Sequence, residues 1–390
     1  MARPSDVWKD HGSWSNFCQS NPRFSSIDFD KISTVVSAVC DSMPCTITPN
    51  KFACGGMNVL LEAVFEDNQI WICRIGYLQS KYGAKFLEKM IHTTVTAMRY
   101  VSKHTTIKVP EVYAYEGNIE KSPIGAVYML LEPVYGISST DMLNMPDFQL
   151  DKKRIDAQVA SIMTQMSSLT FPAIGWLYET TNGIQVGPIF DLSGTPHGPF
   201  TTSADYFCWR AKQAPAEQQI WKAQSTDATL KSNFLCWLFE QAAPLLTERN
   251  DGPFPLMHPD LGGPQLLMVM DYNINAVIDW DETCTVPWLE FCSYPSTLKV
   301  LPYHLERAEY WPGVLERLIE RQEHYRSELR RAGLSNWAVQ LVGSQATQVA
   351  DCLVHFISGR YKMEGRVIFK FLFGDIDFDE FRSDRPKWLN

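Results

Sequence analysis

Two short, β-rich apolar runs at 58–65 and 70–75 are joined by Glu66-Asp67-Asn68-Gln69. Runs of this length, bounded by turn residues, specify a β-hairpin. Gly55-Gly56 precedes it and reads as a turn. The next segment, 83–103, changes period: Phe86, Leu87, Met90, Ile91, Thr94, Met98 and Val101 fall on one helical face. Two further strand-like pieces follow, "VPEVYAYE" and "AVYMLLEPVYG", the second running into Pro133 and Gly136.

From about 151 onward the pattern is helical, in "KKRIDAQVASIMTQMSSLT", "SNFLCWLFEQAAPLL", the charged 303–334 stretch with a break near Pro312, and the more apolar 336–359. The strand-like exception in that half is 255–288, "PLMHPDLGGPQLLMVMDYNINAVIDWDETCTVPW". The chain therefore reads as α+β, β-rich first and helical afterwards. The expected divisions are a helical extension at 1–50 around "FDKISTVVSAVCDSM", a sheet with one helix at 51–135, and a helical remainder at 136–390.

At 390 residues and 45% apolar, the chain can bury the core that such an arrangement needs. A net charge of -9 and the lack of a basic stripe argue against nucleic acid as partner. The N-terminal "MARPSDVWKDHGSWSNF" has no apolar core of a secretory signal, and no apolar run reaches membrane-spanning length. No membrane partner and a cytoplasmic location are expected. The ten cysteines show no Cys-x-x-Cys pair and no His/Cys ligand spacing, which points to free thiols rather than zinc.

The stretches "GGMNVLLEAVF", "RYVSKHTTIKVPEVYAYE", "YMLLEPVYG", "QVASIMTQMSSLTFPAIGWLYETTNGIQVGPIFD" and "HPDLGGPQLLMVMDYNINAVIDWDETCTVPW" together resemble the aminoglycoside phosphotransferase/choline kinase family, in its fungal branch. The resemblance runs from about 50 to 300. It implies a protein-kinase-like two-lobed fold, a β-rich lobe followed by a mainly helical one. It also implies ATP and Mg²⁺ as cofactors and a small-molecule substrate.

Phosphoryl transfer passes through a loose, highly charged transition state, so its catalysis is mostly positioning and cation stabilisation. Gly55-Gly56 suits backbone amides approaching a phosphate, and equally a plain hairpin turn. Arg74, in "IWICRIGY", stands where the family commonly has Lys. It reads as a phosphate cation directed into the cleft between the lobes, or as a member of a structural ion pair. The helix position that would carry the Glu partner of this cation is Thr94. Glu88 lies off that helical face and is a poor substitute.

By the match, Asp260 is the carboxylate that orients the substrate hydroxyl and accepts its proton. His258 is a structural member of the same loop, with a role as base the weaker alternative. Gln265 replaces the Asn that would bind a second metal. It offers the same carbonyl oxygen roughly one ångström further out, or serves as an ordinary hydrogen-bonding residue. Asp279 matches the principal metal ligand, against the plainer role of a turn residue, and Asp281 is a candidate second carboxylate. Trp176, Tyr178 and Trp288 are candidate pocket walls.

The expected activity is ATP/Mg²⁺-dependent phosphoryl transfer to a hydroxyl of a small metabolite. Two alternatives drop the nucleotide chemistry: an ATP-independent enzyme of specialised metabolism catalysing a cyclisation or rearrangement, and a non-catalytic pseudokinase. Neither the acceptor nor the oligomeric state is legible.

Overall fold

The computed structural model of the chain describes residues 3–76, 83–143, 151–220, 226–299, 313–354 and 361–376. It divides into two compact units. The first is Met1–Gln158, Trp176–His197 and His258–Cys284, and the second is Val159–Gly175, Gly198–Met257 and Thr285–Asn390. The α+β order expected from the sequence is present, a sheet with one long helix followed by a mainly helical remainder.

The first unit is organised on an antiparallel five-stranded sheet in the order β1-β2-β3-β5-β4. Its strands are β1 (Cys45–Cys54), β2 (Asn58–Phe65), β3 (Ile70–Gly76), β4 (Val112–Glu116) and β5 (Tyr128–Leu131). The expected hairpin is β2–β3, with Asn58 opposite Gly76 and Val64 opposite Ile70. Its turn closes where Asn68 takes a left-handed φ of 66°, a conformation Asn tolerates better than most residues. β1 begins at Cys45, within the stretch expected to be a helical extension. Its register shifts between Ile47 and Phe52, and the bulge hides a strand that alternation would otherwise reveal.

One face of this sheet carries Val59, Leu61, Ala63, Phe65, Trp71, Cys73, Ile75, Tyr128 and Leu130. It is covered by α1 (Trp14–Ser20) through Trp14 and Phe17, by Phe24 in the turn that follows, and by α2 (Phe29–Val39) through Ile32 and Val36. Asp28 caps α2, its carboxylate accepting from the backbone of Asp30 and Lys31 at 3.1 Å. Trp14, Phe17, Phe24 and Phe52 meet in edge and tilted ring contacts between 4.7 and 6.2 Å. The opposite face holds Leu60, Glu62, Ile72, Arg74, Met129 and Leu131 by alternation. The long helix α3 (Ala84–His104) lies on that side: Leu87, Met90 and Ile91 share a pocket with Arg74 and Gly76. All seven residues assigned to its apolar face are buried.

The first unit continues with β6 (Ile137–Ser138) and α4 (Ser139–Leu143), where a loop was expected. Residues 144–150 of that join, and the break near Pro312, lie outside the described residues. α5 (Lys152–Ser168) follows, as its amphipathic pattern predicts. β7 (Thr170–Phe171), β8 (Gly175–Thr180), β9 (Gly183–Gly187), β10 (Ile189–Phe190) and β11 (Pro196–His197) add strands where helix was expected to dominate. β8 and β9 form a hairpin with Trp176 opposite Gly187. The Asn182-Gly183 pair between them is its sequence signal. A second hairpin, β13 (Leu266–Met268) and β14 (Ile274–Val277), joins β6 in a three-stranded sheet.

In the second unit, β12 (Phe254–Met257) pairs with β7. The remainder is helical: α6 (Ser203–Ile220), α7 (Thr226–Ala242), α8 (Trp288–Phe291), and the helices Val314–Ala332, Asn336–Leu341, Gln345–Val354 and Tyr361–Phe373. The apolar stretch 336–359 is interrupted at Gly343, which has a φ of +76°, and a Cβ there would lie 2.5 Å from the Tyr294 ring. All ten cysteines are free thiols.

Because α1, α2 and Phe24 complete one face of the sheet, they are part of its core. Phe24 is fully buried, so Phe24→Ala should lose about 3–5 kcal/mol of stability in denaturant unfolding. An unchanged midpoint would mean that the segment is a detachable extension.

Candidate active site

The first-unit segment 258–283 carries His258, Asp260, Gln265, Asp279 and Asp281 of the residues singled out by sequence. β13 and β14 set its frame. The Ile278 amide donates to the Gln265 carbonyl at 3.0 Å, which places Gln265 beside Ile278 at the open end of the hairpin, with Asp279 next in the chain. Gly263 is required there: a Cβ would lie 2.5 Å from Thr140 Oγ1, and Ser139 Oγ donates to the Gly263 carbonyl at 3.0 Å.

His258 is a structural residue. Its Nε2–H donates to the Ile278 carbonyl at 3.1 Å, while Nδ1 accepts from the Asp260 amide at 3.2 Å. Both nitrogens are engaged, and those partners fix the neutral tautomer. Trp280 meets the ring edge-on at 4.8 Å. Burial holds the imidazole well below its usual range, at about 4. A base needs a free nitrogen, and His258 has none.

Asp260 is exposed. Gln265 donates its side-chain amide to Asp260 Oδ2 at 2.7 Å. That orientation leaves Gln265 Oε1 buried without a hydrogen-bond partner, a condition that costs free energy unless a ligand or cation answers it.

Asp279 has a left-handed φ of 63°, and Glu282 a φ of 59°. Such values cost free energy in non-glycine residues and persist only where surroundings enforce them. The enforcement here is a turn pinned by Trp280. Its indole N–H donates to the Val277 carbonyl at 2.9 Å, and the Thr283 hydroxyl donates to the Trp280 carbonyl at 2.7 Å. The result turns Asp279 toward Arg74, whose Nη2 donates to Asp279 Oδ1 at 3.1 Å.

Arg74 is buried on β3, and its stronger partner is Asp281, in a very close ion pair. Thr94, buried on α3, donates its hydroxyl to the other Asp281 oxygen at 3.3 Å. Burial opposes the guanidinium charge, but Asp281 and Asp279 outweigh it and hold the arginine above its usual range. Desolvation and the neighbouring Asp281 charge push Asp279 above the ordinary carboxylate range, with Arg74 pulling the other way. The Asp281 side chain is 14% exposed and that of Asp279 is 50% exposed. One carboxylate is thus committed to Arg74, and the other is available to solvent.

The remaining sequence candidates fall elsewhere. Gly55-Gly56 forms the exposed β1–β2 turn, with the Gly55 amide bonded to the Asn58 carbonyl at 2.9 Å. A Cβ would come no nearer than 3.9 Å at Gly55 and would meet nothing within 4 Å at Gly56. The plain-turn reading accounts for both. Trp176 is a core side chain, 2% exposed between Phe86 and Phe190. Tyr178 lies over Gly187 and donates to the Pro188 carbonyl at 2.8 Å. Trp288, in the second unit, is buried against Trp337 and Phe291 and donates to the Pro253 carbonyl at 2.8 Å. Each of the three is held by its own packing and hydrogen bonds.

Among the described residues, no group of three or more His, Cys, Asp or Glu side chains could hold a metal ion. The oxygen donors at the 265–279 end are the half-exposed Asp279 carboxylate and the orphaned Gln265 Oε1. Both are oxygen donors, the kind of atom Mg²⁺ takes, commonly one or two from protein with water and phosphate completing the shell. Asp281, named from sequence as a second carboxylate, serves Arg74 instead. The signal for that role was Thr94: a helix without a carboxylate at this position sends the cation elsewhere for one.

No family model matches the chain, and no curated protein matches it. Solved structures similar to it include an assigned aminoglycoside phosphotransferase from Ralstonia eutropha, at 13% identity over 87% of this chain and 94% of that one, with a TM-score of 0.48. Ethanolamine kinase of Plasmodium vivax is 13% identical over 88% and 81%, with a TM-score of 0.47. The macrolide 2'-phosphotransferase MphH of Brachybacterium faecium is 12% identical over 92% and 99%, with a TM-score of 0.46. No helix among the described residues is long and apolar enough to cross a membrane.

His258 provides a test of the site's construction. The folded state keeps the imidazole neutral down to about pH 4, whereas the unfolded chain protonates it near 6.5. Stability should be full above that upper value and fall as pH drops through the window, by up to about 3 kcal/mol. His258→Asn, which cannot titrate, should show a shallower fall in denaturant midpoints between pH 7.5 and 4.5. Superimposable profiles would contradict the neutral, buried assignment.

Proposed function

We propose that this chain is a small-molecule phosphotransferase, moving a phosphoryl group from ATP to a hydroxyl of a small metabolite. The observation that carries the reading is the grouping of Asp260, Gln265, Asp279 and Arg74 on one hairpin end and the strand facing it. These are the parts phosphoryl transfer needs, a carboxylate for the hydroxyl, oxygens for a cation and a fixed positive charge.

Asp260, exposed and held by Gln265, orients the acceptor hydroxyl and takes its proton as the oxygen attacks. Asp279 and Gln265 Oε1 hold Mg²⁺, which when bound neutralises phosphate charge. Arg74, the buried guanidinium, contributes a fixed cation whose place Asp281 and Thr94 set. His258 shapes the loop and keeps out of proton transfer.

A second reading is favoured by one specific observation. Arg74 is already matched by two carboxylates, so a phosphate reaching it must displace one. In that reading the same scaffold works without ATP, on a cyclisation or rearrangement.

Nucleotide binding separates the two. ATP with Mg²⁺ at a hundred times its dissociation constant stabilises a protein by about 2.7 kcal/mol, so a clear upward shift in melting temperature is expected with both present, and a smaller one without Mg²⁺. A flat response at millimolar ATP-Mg²⁺ favours the second reading. Where binding is seen, Asp260→Ala should lose a hundredfold or more in turnover, roughly the general-base contribution, with the ATP-induced shift retained. Full activity in that variant removes Asp260 from the chemistry.

A further inference from the structure

The sheet face that carries Arg74 holds a second buried charge, Glu62, 3% exposed on β2. Leu60 pairs with Arg74 and Glu62 with Ile72. Glu62 and Arg74 are therefore diagonal neighbours on one face, about 7–8 Å apart at their backbones and within reach of two long side chains. Opposite charges buried so close together are natural partners, since each offsets the other's cost of leaving water. Each nevertheless finds its partners elsewhere. Arg74 Nη2 goes to Asp279 and Asp281, 205 and 207 residues further along the chain.

The cause lies on the β1 side of Glu62. The pairing of β1 with β2 jumps there, from Ile47 opposite Ala63 to Phe52 opposite Leu61. Thr48, Pro49, Asn50 and Lys51 bulge out, exposed, and Glu62 has no single β1 residue opposite it. The N-terminal segment is fastened at this bulge. Asp6 reaches Lys51 at 3.7 Å, and Pro4 and Ser5 are buried. The Ser5 amide donates to Glu62 Oε1 and the Ser5 hydroxyl to Oε2, at 2.7 Å each, with Arg3 Nε 3.3 Å from Oε2. Both oxygens of Glu62 are thereby engaged.

We infer that Ser5 and Arg3 are positioning residues for Arg74: by engaging Glu62 they leave the guanidinium to Asp281 and Asp279. The effect on activity rests on the reading of Arg74 as the phosphate-facing cation, while the choice of partner does not. Without these donors Glu62 is a buried carboxylate in need of a partner, with a cation in reach on its own face. Arg74 then turns to Glu62, and the 279–281 turn loses the charge that draws it to β3. Asp279 loses a fixed neighbour and a bound phosphate loses its cation.

A rescue experiment tests this. Arg3→Ala/Ser5→Ala removes the two side chains, and adding Glu62→Gln removes the charge they hold. Calorimetric titration with ATP-Mg²⁺ should show binding weaker by roughly tenfold or more in the double variant, set by the fraction of molecules with Arg74 turned away. The triple variant should return to within about threefold of the unmodified chain. An N-terminus that only held the fold together would leave the triple variant as weak as the double. A double-mutant cycle between Glu62→Gln and Arg74→Met, read from denaturant unfolding, needs no ATP. It should show stronger coupling in the Arg3→Ala/Ser5→Ala background than in the unmodified chain. Should that double variant not fold, Ser5→Ala alone, which frees one Glu62 oxygen from its hydroxyl donor, carries the same comparisons. Equal coupling in both backgrounds overturns the exchange of partners and leaves the phosphotransferase reading standing. Unchanged ATP affinity, or a loss that Glu62→Gln does not restore, overturns the positioning role. Absence of ATP binding from every form, with the coupling gained, overturns the phosphate reading of Arg74 and upholds the choice of partner.

Discussion

A guanidinium buried on the face of a β-sheet has to be matched by negative charge, because an ion taken out of water and left unpaired costs several kcal/mol. Arg74 is that ion, and its match with Asp281 and Asp279 sets the geometry around it. The match requires the 279–283 turn to come to β3, and the turn can do so only with Asp279 in a left-handed conformation. Trp280 holds that conformation by bonding back to the hairpin at Val277, and Thr283 by closing the turn on the Trp280 carbonyl. The Asp279 carboxylate, though it faces Arg74, keeps an exposed edge.

The hairpin end shows a second consequence of matching. His258 spends both ring nitrogens on backbone, so it serves as a neutral brace. Gln265 spends its amide N–H on Asp260 and has a carbonyl oxygen left over. An Asn at that position would be one methylene shorter; the longer side chain reaches Asp260 and still presents the oxygen. Arg74 takes its match from Asp281, which Thr94 also holds, and the oxygens left at the hairpin end include those of Asp279 and Gln265.

The N-terminal fifty residues complete the sheet on both sides. Helices α1 and α2 cover one face with aromatic packing, and Arg3–Ser5 ties to a carboxylate on the other. Glu62 could not sit in the middle of β2 without those partners, since a buried carboxylate must be hydrogen-bonded or paired.

Local patterns were legible in the sequence. The β2–β3 hairpin, the apolar face of α3 and the helix of 152–168 follow from period and turn chemistry within a few residues. The His-Pro-Asp and Ile-Asp-Trp segments marked the candidate site through the family resemblance, and not through period. β1 escaped because Pro49 and the bulge interrupt its alternation, and the β8–β9 hairpin because its Asn-Gly signal lay among helical neighbours. The partner of Arg74 was beyond reach: Asp279 lies 205 residues further along the chain, and no local pattern encodes which distant carboxylate neutralises a buried cation. Sequence alone determined the elements and the candidate side chains, since propensity and period act over a few residues. Which charges meet, which oxygen is left unpaired and what covers Glu62 were decided by the tertiary structure, because burial makes each ion's partner a condition of the whole fold.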